Sequence, residues 1–417
     1  MTTPLQLAGD AVEQLRATPL APYAGIYEGY LGEGGYAPST KGGYFRCLGH
    51  FGRWMSQGGL DAEDLDEDVV ARFFDEHLPH CRCPAPAVRT RAALRAALGH
   101  LLVVLRVHAV IPERMLEVTL VDEELRRFDA HMDHVRGLAA TTRRFQLYVI
   151  RCFLRQQFGD NRVDLATIQP EAVRRFVTDQ SAHYSSADGV AKLIAALRGY
   201  FRFRTACGDS VQALSAVLIA PSHWRQASLP KALSSTEVQH LIDSLGWEGP
   251  SARRADAVVR LALNLGLRRA EIAGLALEDI DWRAGTIRLR RTKGGREDAL
   301  PLPETTGRAI ADYLRLERPQ TTCRAVFVSR TAPRGRPIGP DCVGKTIRQA
   351  YARAGLPYTR AHLLRHTMAS RLLASGSSLK EVADVLRHRS LNTTLIYAKL
   401  DVGSLSTVAL PWPEDAQ

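Results

Sequence analysis

The chain has 417 residues, 45% apolar and 24% charged, the balance of a soluble globular protein with room for two or three ordinary cores. Fifty-five Lys and Arg against forty-four Asp and Glu leave a formal charge of +11, which suits a nucleic-acid partner without requiring one. No run of apolar residues is long enough for a membrane span, and the opening MTTPLQLAGDAVEQLRATPL lacks the basic-then-apolar order of a secretory signal, so the expectation is a cytoplasmic protein. Its seven cysteines are odd in number and scattered, which points to reduced thiols rather than a disulfide framework.

In chain order, Ser39-Thr40 opens a stretch with apolar residues at Tyr44, Leu48, Phe51 and Trp54, the spacing of an amphipathic helix. A polar loop follows, then Leu65, Val69, Val70, Phe73 and Phe74 at helical spacing. His77, His80, Cys81 and Cys83 come next in close succession. The single residue between the cysteines is short of the usual zinc-ligand spacing and no second ligand pair follows, so a turn rich in Pro and Cys is expected, with no metal and no cofactor. Leu94, Leu98, Leu101, Leu102 and Leu105 close this first unit as another helix.

The same grammar recurs about a hundred residues later. Thr141-Thr142 leads into Phe145, Val149, Ile150 and Phe153, then Leu165, Ile168, Val173, Phe176 and Val177, and finally Leu193, Leu197, Tyr200 and Phe201. That order predicts a duplicated four-helix unit. Arg143, Arg144, Arg151, Arg155, Lys192, Arg198, Arg202 and Arg204 are expected on exposed faces of the second copy, where they can track a phosphate backbone. Helical periodicity lapses between Pro221 and Pro230, which reads as a linker. Ser234-Ser-Thr-Glu237 then has the form of a capping box. Thr286 to Arg290 alternates as a strand and Asp298 to Leu302 can return beside it, with Lys293 in the glycine-bearing turn between them.

Four patches after the linker stand out: Gly266-Leu-Arg268-Arg-Ala-Glu271, the turn with Lys293, His362-Leu-Leu-Arg365-His366-Thr367 on a helix stopping at Gly376, and Leu386-Arg387-His388 running through Thr393-Thr394 to Tyr397. Singly each has a plain structural reading: an ion pair, a solvated turn, a packed histidine, a core tyrosine. Together, in this order and spacing, they resemble the tyrosine recombinase, or phage-integrase, family from about Leu229 to Ala398. The resemblance implies a catalytic set of Arg268, Lys293, His362, Arg365, His388 and Tyr397, accompanied by Glu271. His366 is left outside that set as a packing or hydrogen-bonding residue. Where the family often has glycine before the second histidine this chain has Arg387, which alters a tight helix end or adds a phosphate contact.

The chemistry follows from charge. A phosphodiester repels nucleophiles, and fixed guanidinium and imidazolium groups stabilise the charge that gathers on its oxygens in the transition state. A phenol, with a pKa of about 10, needs a base, for which His362 is the natural choice. The departing 5′ oxygen needs a proton, which Lys293 is suited to give. The 3′-phosphotyrosine product conserves the bond energy, and no nucleotide-binding Gly-rich motif occurs.

The expected fold is therefore mainly α with a small β section: two N-terminal helical (SAM-like) units, residues 1–120 and 121–225, then an α/β catalytic domain at 226–417. The expected activity is site-specific cleavage and rejoining of double-stranded DNA at core sites, probed against two rivals, a type IB topoisomerase and a catalytically silent DNA-binding relative. By the resemblance the protein works as a homotetramer, with accessory recombinases or DNA-bending proteins as further partners and no membrane association. The added first unit tilts the role towards a mobile-element integrase. Leu405, Val408, Leu410 and Trp412 in the tail are open to docking either in cis or on a neighbouring subunit.

Overall fold

The computed structural model describes residues 15–113, 118–159, 161–221, 231–290, 297–388, 394 and 396–397. Recurrent apolar spacing folds the first of these stretches into a bundle of α1 (Ala24–Glu33), α2 (Pro38–Gln57), α3 (Glu67–Arg72) and α4 (Arg91–Val107). Proline opens α2, where its missing N–H costs nothing. Asp66 caps α3 by accepting from the Val69 N–H at 2.8 Å. The chain then continues through a π turn, Phe73–His77, and a 3-10 turn, Leu78–His80. Tyr27, Phe45, Leu48, Phe51, Phe73, Leu98 and Leu101 form the bundle's own core.

The second stretch repeats that order with α5 (Leu120–Ala130), α6 (Ala140–Phe158), α7 (Pro170–Ser181) and α8 (Ala187–Ala206), closed by the short α9 (Gln212–Ala216). In both copies a 3-10 turn, Ala62–Asp64 and Leu165–Thr167, stands between the second and third helices. Phe128, Ile150, Phe153, Phe176, Leu197 and Phe201 fill a separate core.

Two of the cations expected on exposed faces here, Arg204 and Arg143, are drawn inward instead. The Arg204 side chain is 13% exposed and pairs with Glu124 at 2.7 Å and Asp209 at 2.5 Å, while Tyr200 donates to the same Glu124 at 2.9 Å. The reason lies on α5: Glu124 is buried, and a buried carboxylate without a cation is strongly destabilising. Arg143 is likewise drawn to Asp129 and Asp133, whereas Arg151 and Lys192, paired with Asp122 and Asp188, lie on exposed faces as expected. Arg144, Arg155, Arg198 and Arg202 remain exposed.

From residue 231 the elements are α10 (Ser235–Asp243), α11 (Ala252–Asn264), α12 (Arg269–Ala273), β1 (Ile280–Asp281), β2 (Thr286–Leu289), β3 (Asp298–Pro301), α13 (Glu304–Leu316), α14 (Pro340–Arg353), α15 (His362–Ala374) and α16 (Leu379–Val385). The Ser234–Glu237 capping box forms, with both reciprocal hydrogen bonds. The three strands make an antiparallel sheet in sequence order, with Thr286 opposite Pro301 and Leu289 opposite Asp298. β1 was not expected, since two residues carry no alternation. Helix α11, lined by Val258, Leu261, Ala262 and Leu263, is the spine of the core, which Ile272, Ile310, Tyr313, Phe327, Ile347 and Tyr351 complete.

By its contacts the chain separates into two units, Met1–Glu113 with Ser228–Gln417 in one and Arg114–Ala227 in the other. Within the first, the Arg334 N–H donates to the Gly34 carbonyl at 3.1 Å. Among the described residues no helix is long and apolar enough to cross a membrane.

Candidate active site

Three segments of the chain beyond residue 231 meet around one buried arginine. Arg365 lies on the first turn of α15 with 2% of its surface exposed. Its terminal nitrogens donate to the carbonyls of Gly266, before α12, and of Leu386, after α16. A guanidinium has five N–H donors, so each terminal nitrogen keeps a second hydrogen for another acceptor. Gly266 has φ +58°, and a Cβ there would stand 2.9 Å from Leu386 Cδ2. Glycine is required both for the left-handed turn and for the close approach.

Arg268 begins α12 as its N-cap residue. Glu271 accepts from the Arg268 backbone N–H at 2.8 Å and from its Nη1 at 2.7 Å. The oxygen that accepts the backbone N–H, Oε2, also takes Nη2 of Arg387 at 3.0 Å. Burial pushes the Glu271 carboxyl up, but Arg387 and the two Arg268 donors outweigh it and hold it below the usual carboxylate range. Arg387 has φ +55°, the left-handed conformation that glycine adopts most cheaply. Its side chain, 4% exposed, is bound to Glu271. The favourable pair with a buried carboxylate accounts for that choice.

Tyr397 is 2% exposed and sits among Met368, Ala369, Val382 and Leu386. Its hydroxyl lies 2.7 Å from Nδ1 of His366, the histidine that sequence reasoning set aside. The signal was available in the spacing, since His362 and His366 are one helical turn apart on one face of α15. Their rings meet edge to face with centroids 4.8 Å apart. His388 follows α16 and its Nδ1 lies 2.7 Å from the Thr394 hydroxyl. The structure thus brings together Arg268, His362, Arg365, His388 and Tyr397. Lys293 lies outside the described residues, as do the tail residues Leu405, Val408, Leu410 and Trp412.

The electrostatics correct one expectation. Burial, then His366, Arg365 and Arg268, push His362 down to about 4. Burial followed by Arg365 and Arg268 does the same to His388. Without a bound anion both are therefore neutral imidazoles, not the imidazolium expected of the pocket, because the guanidiniums already present disfavour another positive charge. Burial pushes the Tyr397 phenol up to about 12, against a smaller lowering by Arg365, so it is protonated at neutral pH.

Beside this cluster opens a cavity of about 700 Å³ lined by Arg268, Arg269, Arg348, Arg360 and His362. Arg269 has a weak partner in Asp341 at 3.6 Å. Arg348 and Arg360 are exposed cations with no ion pair among the described residues. The arrangement provides an electropositive cleft leading to a fixed arginine pair and a protonated tyrosine whose hydroxyl is held by a histidine.

Comparison with known proteins identifies the family. Residues 231–403 match the phage integrase family model. A protein of Sinorhizobium fredii described as a candidate integrase/recombinase is 34% identical over 407 residues, 96% of each chain. The tyrosine recombinase XerD of Mycobacterium tuberculosis is 30% identical over 302 residues, 68% of this chain and 95% of that one. Among solved structures, the XerH site-specific recombinase bound to its palindromic difH substrate shares the fold with a TM-score of 0.52 at 17% identity, covering 88% of this chain and 95% of that one. The lambda integrase dimer bound to a COC′ core site gives 0.51 at 17% identity, covering 67% and 94%. The chain belongs to the phage integrase family, the tyrosine-type site-specific DNA recombinases.

Proposed function

We propose that the protein cleaves and rejoins duplex DNA at specific core sites with Tyr397 as nucleophile. The observation that carries this is the Tyr397 hydroxyl held at 2.7 Å by His366 on the helix that also supplies His362 and Arg365. The scissile phosphate enters the cleft beside Arg268, whose guanidinium with that of Arg365 neutralises its non-bridging oxygens. His388 adds a hydrogen bond to the same oxygens. Tyr397 Oη then attacks phosphorus, its proton passes to a neutral histidine, and the bond to the 5′ oxygen breaks as Lys293 protonates that leaving group. The result is a 3′-phosphotyrosine link and a free 5′-hydroxyl, and the reverse attack by another 5′-hydroxyl rejoins the strand. His362 is the base in this scheme and His366 the residue that positions the phenol. The neutral state of His362 supports its assignment as base, since an imidazolium has no lone pair to accept a proton.

Strand exchange by this route needs two core sites and a homotetramer, assembled in the cytoplasm with or without accessory DNA-bending proteins. The chain divides its work among residues 1–120, 121–225 and 226–417: accessory contacts, grip on the core site, and catalysis. A helical unit before the core-binding one, together with full-length similarity to the integrase/recombinase of Sinorhizobium fredii, supports service to a mobile element, in transposition or integration.

The test is covalent trapping on nicked duplexes tiled from DNA flanking the gene, without divalent metal. A denaturant-resistant, protease-sensitive adduct is expected with the native chain and none with Tyr397→Phe. An adduct that survives in the variant overturns the assignment of the nucleophile. Relaxation of supercoiled plasmid lacking any core site would mark a topoisomerase instead.

A further inference from the structure

The N-terminal bundle carries a cluster that the recombination chemistry does not use. His50 on α2, His77 at the end of the π turn, and Cys81 and Cys83 in the following loop present one ligand atom each, all within 4.8 Å of one another. His50 Nε2 stands 3.3 Å from His77 Nε2 and 3.3 Å from Cys81 Sγ, and Cys83 Sγ is 3.6 Å from His77 Nε2. Zinc bonds of about 2.0 Å to nitrogen and about 2.3 Å to sulfur in a tetrahedron place ligands roughly 3.3 Å apart for two nitrogens and about 3.5 Å for nitrogen and sulfur. The three nitrogen–nitrogen and nitrogen–sulfur spacings above match edges of such a tetrahedron, and the overall spread of up to 4.8 Å closes to it with small side-chain movements.

The orientation of His50 is the one a metal ligand needs. Its ring is fully buried, and Nδ1 lies 2.7 Å from the Val88 carbonyl. A carbonyl only accepts, so Nδ1 carries the proton and Nε2 turns a lone pair towards His77 and Cys81. Metal-bound histidines are oriented by such a second hydrogen bond. The Cys83 carbonyl is itself held by Arg89 Nη2 at 2.8 Å. Three residues after His50, Arg53 buries Nε and Nη2 without a partner, donors that thiolate sulfurs would satisfy.

Packing supplies the need. Leu78 and Val88 pack partly against the bundle core at the two ends of the connection to α4, but none of residues 79–87 between them is buried, so burial holds the ends of the loop and not its middle. The one-residue cysteine spacing that discouraged a metal reading is offset by His50, a ligand that precedes the motif by a helix and a turn.

We propose that His50, His77, Cys81 and Cys83 bind one zinc ion that fastens the 78–90 loop to α2. Two thiolates and two neutral imidazoles suit zinc among the divalent metals and give a net charge of zero. Four protein ligands leave no open position, which makes the site structural. It lies outside the residues that match the family model, 231–403, and takes no part in the phosphoryl chemistry.

The full chain, purified under reducing conditions without chelator, should contain about one zinc per molecule, released by a thiol-blocking mercurial. Exchange with Co²⁺ should give the intense visible bands of a tetrahedral ion and a thiolate charge-transfer band of two-sulfur strength. Cys81→Ser, Cys83→Ser and His50→Ala should each lose the metal, whereas His80→Ala, at an exposed residue outside the cluster, should keep it. Native protein with free thiols, no zinc and no cobalt–thiolate band overturns the proposal. So does zinc that persists in the cysteine variants, or a Cys81–Cys83 disulfide in the protein as isolated. Should the variants fail to fold, the cobalt spectrum of the native chain decides alone.

Discussion

At the scale of single residues, the cluster around Tyr397 separates positioning from proton transfer. His366 holds the phenol hydroxyl, while His362 lines the cleft. Replacing His366 by Phe keeps an aromatic ring against His362 but leaves the hydroxyl unpaired. Adduct formation should slow by about tenfold or more, with DNA affinity unchanged, and His366→Asn should restore part of the rate by returning an acceptor near Nδ1. Equal rates for all three proteins would mean that His366 only packs. The histidine charges give a second prediction. His362 and His388 are depressed to about 4 without DNA, and an anionic phosphate beside them favours the charged form. In a complex of Tyr397→Phe with core-site DNA, their ring resonances should titrate at least one pH unit higher than in the free chain. The sign also fixes stability in the free chain. Depressed folded values contribute stability that is present above the ordinary histidine value and lost as pH falls through about 4. Titration that stays near 4 with DNA bound would place the phosphate elsewhere.

At the scale of elements, Glu271 binds the start of α12 to the residue that ends α16, and Arg387 bears two opposing effects there. Its φ of +55° costs roughly 1 kcal/mol relative to glycine, while its guanidinium neutralises a carboxylate whose side chain is 3% exposed. Arg387→Gly relieves the first and loses the second, and since Arg268 still pairs with Glu271 the net loss should be about 1–2 kcal/mol. Arg387→Ala keeps the strained backbone and loses the pair, so its Tm should fall further. If Arg387→Gly melts above the native chain, the ion pair contributes less than the strain. Because Glu271 is held below the usual carboxylate range, its contribution is present above that range and fades as pH falls through the lowered value. Much at this scale was readable beforehand: helical spacing gave α2, α6 and α8, alternation gave β2 and β3, and the Ser234–Glu237 box marked the start of α10. What was not readable depended on partners distant in the chain. Arg204 was expected outside because nothing local announces that Glu124, eighty residues earlier, is buried beneath it. The proposed ligand role of His50 was hidden likewise, since it precedes His77 by 27 residues.

At the scale of the whole molecule, the order and spacing of the site motifs were legible because α12, α15 and α16 each deliver a local sequence signature to one place. Their shared dependence on Arg365, whose nitrogens hold the carbonyls of Gly266 and Leu386, was not legible, since backbone carbonyls leave no mark in a sequence. A formal charge of +11 predicts association that weakens with salt, but the ion pairs of Arg143, Arg151, Lys192 and Arg204 remove part of that charge from the surface available to phosphate. The slope of log affinity against log salt should therefore count only the uncommitted cations, about 0.9 per neutralised phosphate. Arg348 and Arg360 are two of these, at the mouth of the cleft. Arg348→Ala and Arg360→Ala should each weaken binding about equally on core-site and unrelated DNA and shallow the slope by about one. Arg204→Ala should act differently: with Glu124 left buried without its closest cation, the variant should lose thermal stability before it loses affinity. If Arg348→Ala and Arg360→Ala leave the slope where it is while Arg204→Ala flattens it, the DNA backbone does not follow the cleft that leads to Tyr397.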